Sequence, residues 1–304
     1  MRIVVTGKTG QVVTALLERG LAVGVEVVAV GRPDLDLAAP TAALEVLTAA
    51  KPDLIVSAAA YTAVDKAESE RDLAFAINAG GAGAVAAAAA ALGVPVVHLS
   101  TDYVFDGNKA EAWVESDPVA PLGVYGASKL AGEEAVLASG ARAVVLRVAW
   151  VYAPFGANFV RTMLRLSETR DRLGVVADQI GTPTSALDIA DGVLKVAGNL
   201  LAAPTDGRLE GVFHMGAGGP AASWADFADA IFDGAAARGG RRPVVDRIGI
   251  ADYPTPAKRP KQSRLDSAKI AAVHGVALPD WRASLETVLD RLLGARSSSS
   301  RTRT

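Results

Sequence analysis

The chain opens with a pattern of buried strand, glycine turn and helix. Residues 3–6 are β-branched, Gly7 and Gly10 follow at Gly-x-x-Gly spacing, and a helical pattern runs to about Arg19. In this setting glycines let a backbone approach a pyrophosphate at a helix N-terminus. Val13 stands where a third glycine would allow tight packing, so an ordinary βα turn is an alternative to a dinucleotide site.

Strand patterns then alternate with helical patterns as far as residue 150. Such alternation predicts right-handed βαβ crossovers and an α/β fold with a doubly wound parallel sheet of the Rossmann type. Further strands are expected at residues 26–30, 54–57, 96–100 and 143–148.

Beyond residue 150 the alternation loosens. We therefore expect an NAD(P)-binding Rossmann domain over 1–150 and a smaller α/β part over 151–295, mainly substrate-binding and interleaved with the first. Its expected features are a helix at 158–164, a loop at 179–184, a strand at 212–215 and a helix capped by Ser223. Residues 296–304 are rich in Ser, Arg and Thr with nothing to bury, which predicts a disordered tail.

Composition excludes several functions. A net charge of −2 and a pI near 6.0 give no signature of nucleic-acid binding. The absence of cysteine removes thiol chemistry and disulfides, and it fits a reducing cytoplasm. The N-terminus runs straight into a strand, without the layout of a signal peptide.

One segment, residues 79–97, carries no charge. It is mostly alanine and glycine, interrupted by Gly93 and Pro95, and alanine is too weakly apolar to favour insertion into a membrane. A helix followed by a buried strand explains the segment better than a membrane span.

Chemistry-bearing side chains follow two of the expected strands. Arg32 ends the second strand, where it could pair with a 2′-phosphate and favour NADPH, or be a solvated loop arginine. Thr101 follows the fourth strand, at the sheet edge where ligands bind, and is placed to offer a hydroxyl. His98 lies inside that strand and is expected to be a satisfied core histidine rather than a catalytic one.

Tyr125 and Lys129 are four residues apart at the start of an expected helix. Side chains at this spacing share a helix face, about 5–6 Å apart at Cβ. An ammonium beside a phenol favours phenolate, so the pKa of Tyr125 is expected to fall toward neutrality. Alone, the spacing is far more often that of an ordinary helix-surface pair, and only the rest of the chain can give it a catalytic meaning.

A proline-rich loop at residues 253–260 carries cations. Arg259 or Arg264 could face phosphate groups of a substrate, or the charges could simply be solvated.

The order of the Gly7/Gly10 turn, Thr101 and the Tyr125/Lys129 pair resembles the extended short-chain dehydrogenase/reductase family, which uses a Ser/Thr–Tyr–Lys triad. Longer stretches are similar to the dTDP-4-dehydrorhamnose reductase family within it. They cover residues 7–12, 58–68, 100–107, 121–133, 150–152, 158–164, 178–184 and 253–260.

The resemblance implies NADPH- or NADH-dependent reduction of the C4 ketone of a nucleotide-sugar substrate, dTDP-4-dehydro-L-rhamnose. The residues implied as catalytic are Thr101, Tyr125 and Lys129. Those implied or expected to contact the cofactor are Gly7, Gly10, Gln11, Val12, Arg32, Asp36, Leu37, Ala60, Tyr61, Thr62, Tyr125 and Lys129. Those implied to contact the substrate are Thr101, Asp102 and Trp150.

Two positions depart from the family pattern: Val13 replaces a glycine, and Tyr61 stands where a histidine is expected. Some members use magnesium, held by glutamates, in dimer assembly. Ala15 in the first helix carries no ligand, which argues against a magnesium-bridged homodimer, and no metal-binding residue is assigned. Two alternatives stay open: a 4-ketoreductase acting on another dTDP-keto-sugar in antibiotic sugar assembly, and a non-catalytic dinucleotide-binding regulatory subunit.

Overall fold

The structure is a computed structural model that describes residues 1–295 of the 304-residue chain. The expected tail at 296–304 lies outside the described residues. The strands are β1 Arg2–Thr6, β2 Glu26–Val30, β3 Leu54–Ser57, β4 Val96–Thr101, β5 Ala143–Val148, β6 Val151–Tyr152, β7 Arg172–Val176, β8 Ile180–Gly181, β9 Thr184–Ser185, β10 Gly211–His214, β11 Ala222–Ser223 and β12 Val244–Ile248.

The helices are α1 Gln11–Ala22, α2 Ala43–Ala50, α3 Val64–Ala67, α4 Arg71–Phe75, α5 Ala82–Leu92, α6 Val124–Leu137, α7 Phe159–Ser167, α8 Ala186–Ala202, α9 Trp224–Ala236, α10 Ala268–His274 and α11 Trp281–Leu293. A π-helical segment, Ala76–Gly81, joins α4 to α5, and a 3₁₀ turn, Asp102–Val104, follows β4.

Six strands form the central sheet in the order β10-β5-β4-β3-β1-β2, and every pairing in it is parallel. The strands β3, β4 and β5 are buried along their whole length, as expected when helices cover both faces of a parallel sheet. The prediction of a doubly wound α/β sheet is confirmed. The strand order reverses between β1 and β3, which opens a crevice at the carboxyl ends of these strands.

Separate apolar clusters cover the two faces of the sheet. On one face, Leu16 of α1 and Val193 of α8 pack with residues of β1, β3, β4 and β5. On the other face, Leu47 of α2 and Val85 of α5 pack with the residues of the same strands that point to that face. Because α8 and β10 complete this unit, residues beyond 150 contribute to the sheet and its helical layer; the two-part division of function stays a prediction.

The helical run Arg71–Leu92 is long and apolar enough to cross a membrane by length and composition alone. Its second half is α5, whose residues Ala82, Val85 and Ala89 are buried in the core cluster beside the sheet. A helix and then a buried strand follow residue 79, as the sequence predicts, so α5 has the position of a core helix.

A third cluster organises the later part of the chain. Tyr152 and Phe227 are fully buried against Trp281 at the start of α11. Ser223 caps α9 in a capping box with Asp226, as predicted. The expected loop at 179–184 is partly wrong, because its ends form the short strands β8 and β9, which pair with β11 and β6.

Candidate active site

A cavity of about 940 Å³ lies at the carboxyl ends of the central strands, where the crevice between β1 and β3 opens. It brings together residues far apart in the sequence, since parallel strands all end at one edge of the sheet. Among the predicted site residues, those lining it are Gly7, Gly10, Gln11, Val12, Arg32, Asp36, Leu37, Ala60, Thr62, Thr101, Asp102, Tyr125, Lys129 and Trp150.

One end of the cavity is the glycine turn between β1 and α1. Gly7 has a φ of +99°, a conformation that side chains rarely adopt, so glycine is required there. Gly10 is the N-cap of α1 and provides no side-chain cap, which leaves the N–H groups of the first turn available to an anion. Val13 is buried beneath the turn and fills the space at the helix–strand contact.

The opposite end carries Thr101 and Tyr125. Thr101 is buried; its hydroxyl donates to Asp102 Oδ1 at 3.0 Å and is hydrogen-bonded to the Tyr125 hydroxyl. The ring of Tyr103 packs edge-on against Tyr125, with 5.4 Å between centroids. The structure therefore places two hydroxyls together beside a buried carboxylate.

The expectation that Lys129 lowers the pKa of Tyr125 toward neutrality is wrong for the protein alone. Burial raises the pKa of the Tyr125 phenol to about 12, and the Asp102 carboxylate adds to this, while the hydrogen bond with Thr101 opposes it. The Lys129 ammonium instead donates to the carbonyl oxygen of Leu99 at 2.6 Å and contacts His98 Nε2 at 3.1 Å. Tyr125 is thus a protonated acid at neutral pH.

Burial also shifts the pKa values of two charged groups that line the same cavity as Tyr125. It lowers the pKa of Lys129 to about 8, with Glu133 opposing the shift. It raises the pKa of Asp102 to about 6, against hydrogen bonds from Ser263 and Thr101. Asp102 Oδ2 is itself buried, and within residues 1–295 no hydrogen bond of ordinary geometry reaches it.

Trp150 forms part of the cavity wall in an unusual conformation. Its φ is +50°, which is uncommon for a residue with a side chain. The indole stacks on Trp224 with 3.6 Å between centroids and 9° between planes, and a Cβ at Gly181 would come within 2.5 Å of it. The surroundings fix this ring, as expected where strain is retained at a functional site.

Three predicted residues lie elsewhere. Tyr61 does not line the cavity, because its hydroxyl donates to Glu70 Oε2 at 2.6 Å. Arg259 is half-buried and pairs with Asp65 at 2.8 Å, so it is neither solvated nor in the cavity lining. Arg264 donates to the carbonyl oxygen of Ala110 at 2.6 Å and is also absent from the cavity lining. That either arginine faces the phosphate groups of a substrate stays a prediction.

Several residues that position the site were missed. Glu68 accepts from the backbone N–H of Val124 at 2.9 Å and so caps α6, whose own N-cap is a glycine. Gly126 lets α6 approach the turn after β4, since a Cβ there would lie 2.2 Å from the carbonyl oxygen of Tyr103. A Cβ at Gly126 is excluded by a neighbour over twenty residues away in sequence, and no local pattern signals such a contact.

Within residues 1–295, no group of three or more His, Asp or Glu side chains is arranged to hold a metal ion. Ala15, which carries no metal ligand, is fully buried in α1.

The fold and cavity together define a dinucleotide-binding protein of the short-chain dehydrogenase/reductase class. Residues 1–293 match the family model described as "RmlD substrate binding domain". The dTDP-4-dehydrorhamnose reductase of Sinorhizobium fredii is 48% identical over 293 residues, covering 96% of this chain and 98% of that protein. The chain belongs to the dTDP-4-dehydrorhamnose reductase family.

Solved structures agree with this assignment. A dTDP-4-dehydrorhamnose reductase from Clostridium acetobutylicum superimposes with a TM-score of 0.88 at 39% identity, covering 96% of this chain and 99% of that one. The dTDP-4-dehydrorhamnose reductase of Bacillus anthracis, solved in complex with NADP, has a TM-score of 0.86 at 34% identity, covering 94% and 98%.

Proposed function

We propose that this protein reduces the C4 ketone of dTDP-4-dehydro-L-rhamnose to dTDP-L-rhamnose, with NADPH or NADH as reductant, in deoxysugar and polysaccharide biosynthesis. The observation that carries the proposal is that one cavity has the Gly7 turn at one end and Thr101, Tyr125 and Lys129 at the other. Family membership supports the substrate. A cytoplasmic location fits the absence of cysteine.

The residues at the glycine turn fit a dinucleotide. The free N–H groups at the start of α1 suit the pyrophosphate, and the positive φ of Gly7 leaves the backbone open to close approach. Arg32 and Asp36 line the same cavity beyond the end of β2, where an adenosine ribose would lie. When bound, the reduced nicotinamide would supply a hydride to the sugar carbonyl carbon.

The side chains at the other end would handle the proton and the oxygen. Tyr125, protonated at neutral pH, would give its proton to the developing alkoxide. Lys129 would provide a nearby positive charge that stabilises the resulting phenolate and hold the nicotinamide ribose. The Thr101 hydroxyl can rotate from Asp102 toward the carbonyl oxygen and donate a hydrogen bond to it.

Two features suit the sugar. Asp102 lines the cavity, where its carboxylate would accept from a sugar hydroxyl, and the Trp150 indole offers an apolar face.

The decisive assay measures NADPH oxidation with dTDP-4-dehydro-L-rhamnose, followed by UDP- and GDP-linked and other dTDP-linked keto-sugars. The proposal expects turnover that depends on the keto-sugar and is fastest with dTDP-4-dehydro-L-rhamnose. Faster turnover of another dTDP-keto-sugar would assign the protein to a related 4-ketoreduction. Cofactor binding with no turnover of any of them would assign a regulatory role.

Replacing Arg32 with alanine should weaken NADPH binding about tenfold, because a charge-assisted hydrogen bond to a 2′-phosphate is lost. Dissociation constants from nicotinamide fluorescence would measure this. NADH is the internal control: it lacks the 2′-phosphate, so its affinity should stay unchanged. An equal loss for both cofactors would show that Arg32 does not read the phosphate.

Replacing Gly181 with alanine should raise the KM for the nucleotide sugar about tenfold or more, with little change in NADPH affinity. The new methyl group would overlap the Trp150 indole and displace it from the cavity wall. Gly198→Ala is the matched control, because a Cβ at Gly198 meets open space on α8. That variant should keep a normal KM, and an unchanged KM in Gly181→Ala would contradict the role of Trp150.

A further inference from the structure

Lys129 is a buried ammonium whose acceptors both come from β4. The residue is 2% exposed, and its Nζ lies 2.6 Å from the Leu99 carbonyl oxygen and 3.1 Å from His98 Nε2. The carboxylate one turn along its own helix, Glu133, is held by Arg147 and Ser100. One of the two acceptors that satisfy the Lys129 charge is therefore an imidazole.

The hydrogen bonds of His98 fix its tautomer. An ammonium has only donors, so Nε2 must be the accepting nitrogen, and a neutral ring then carries its proton on Nδ1. Nδ1 lies 3.0 Å from Ser57 Oγ and donates a hydrogen bond to it. Burial, with the Lys129 charge, lowers the pKa of His98 well below its usual value, in agreement with a neutral ring.

We propose that His98 is a positioning residue, whose neutral ring, fixed by Ser57, holds the Lys129 ammonium in the lining of the cavity and keeps it charged. The relevance to turnover rests on the proposed function, whereas the Ser57–His98–Lys129 chain is a property of the protein alone. The role is separate from acid–base catalysis, since Tyr125 and Thr101, not His98, line the cavity.

His98 is the side chain that accepts a hydrogen bond from the Lys129 ammonium. On α6, Tyr125 and Glu133 lie one turn to either side of Lys129, and Glu133 raises the pKa of Lys129 against the effect of burial. Within the described residues, the hydrogen bonds of Lys129 Nζ go to Leu99 and His98. Removing the imidazole would leave a buried ammonium with one acceptor, and Lys129 would lose its proton at lower pH.

The first test uses the protein without cofactor. The chain has three histidines, so a long-range ¹H–¹⁵N spectrum can resolve each imidazole, and His98→Gln assigns the signal that disappears. We expect His98 to show the Nδ1–H tautomer and to stay neutral at pH 6, and Ser57→Ala to perturb that signal. An Nε2–H tautomer, or an ordinary titration near pH 6.5, would overturn the proposal.

The second test is the pH dependence of kcat. The pKa of Lys129, about 8, predicts that activity falls as pH rises through that value, because the ammonium is then lost. His98→Leu removes the acceptor and should shift the alkaline limb, the fall of kcat at high pH, to a pH about one unit lower. His98→Gln offers an amide oxygen near the place of Nε2 and should restore the limb.

An equal loss of activity in both variants without a shifted limb would indicate a structural role and overturn the proposal, as would unchanged profiles. If His98→Leu does not fold, Ser57→Ala serves instead, with a smaller shift in the same direction. A protein that turns over no keto-sugar would refute the proposed function, while the tautomer of His98 would still decide whether Lys129 is held in this way.

Discussion

Replacing Tyr125 with phenylalanine should lower kcat at least about 10²-fold, the usual scale of general-acid catalysis. The phenol is the group placed to protonate an alkoxide, and it holds its proton at neutral pH because burial raises its pKa to about 12. NADPH binding should be retained, since the glycine turn and Lys129 are unchanged. Steady-state kinetics and a cofactor titration measure the two quantities separately.

Tyr152→Phe is the matched control for this variant. Tyr152 is also buried, but its hydroxyl donates to the carbonyl oxygen of Trp281, outside the cavity lining. Its loss should reduce the free energy of unfolding by about 1 kcal/mol and leave kcat unchanged. Near-native turnover in Tyr125→Phe would refute the assignment of the proton donor.

Replacing Arg147 with methionine should reduce the free energy of unfolding by about 3–5 kcal/mol, because it leaves a buried carboxylate without its cation. Arg147 and Glu133 are 4% and 2% exposed and pair through two nitrogens, with Arg147 Nη2 at 2.6 Å from Oε2. Within residues 1–295, Ser100 is then the side-chain donor left to Glu133, at 2.5 Å. Urea denaturation measures the loss.

Arg172→Met is the control for the ion pair. Arg172 pairs with Asp246 on the surface, where its side chain is 64% exposed, so the loss should be at most about 1 kcal/mol. Adding Glu133→Leu to Arg147→Met should recover much of the stability, since the unpaired charge is then removed as well. If the Arg147→Met variant is as stable as Arg172→Met, then leaving the buried Glu133 carboxylate without its cation does not have the expected cost.

Local patterns predicted most of the site because the groups that form it lie at strand ends and on one helix. The Gly7 turn, Thr101 and the Tyr125/Lys129 pair each follow from a short stretch with its own signal. A parallel sheet then brings all strand ends to one edge, so knowledge of the strand pattern was enough to group these residues.

Contacts that depend on the path of the chain in space could not be predicted in this way. Arg259 pairs with Asp65, almost two hundred residues away, and this ion pair keeps it out of the cavity. Tyr61 turns toward Glu70 instead of the cofactor side. In both cases the partner is chosen by tertiary packing, for which the surrounding sequence carries no periodic signal.

The sequence by itself determined the sheet, the glycine turn, the identity of the Thr101–Tyr125–Lys129 group and the family, because each depends on local spacing. The tertiary structure alone decided the electrostatic state of that group. Burial makes Tyr125 an acid rather than a phenolate, and Lys129 turns to Leu99 and His98 on β4. Solvation and hydrogen-bond partners depend on what surrounds a side chain in space, and spacing along the chain does not encode them.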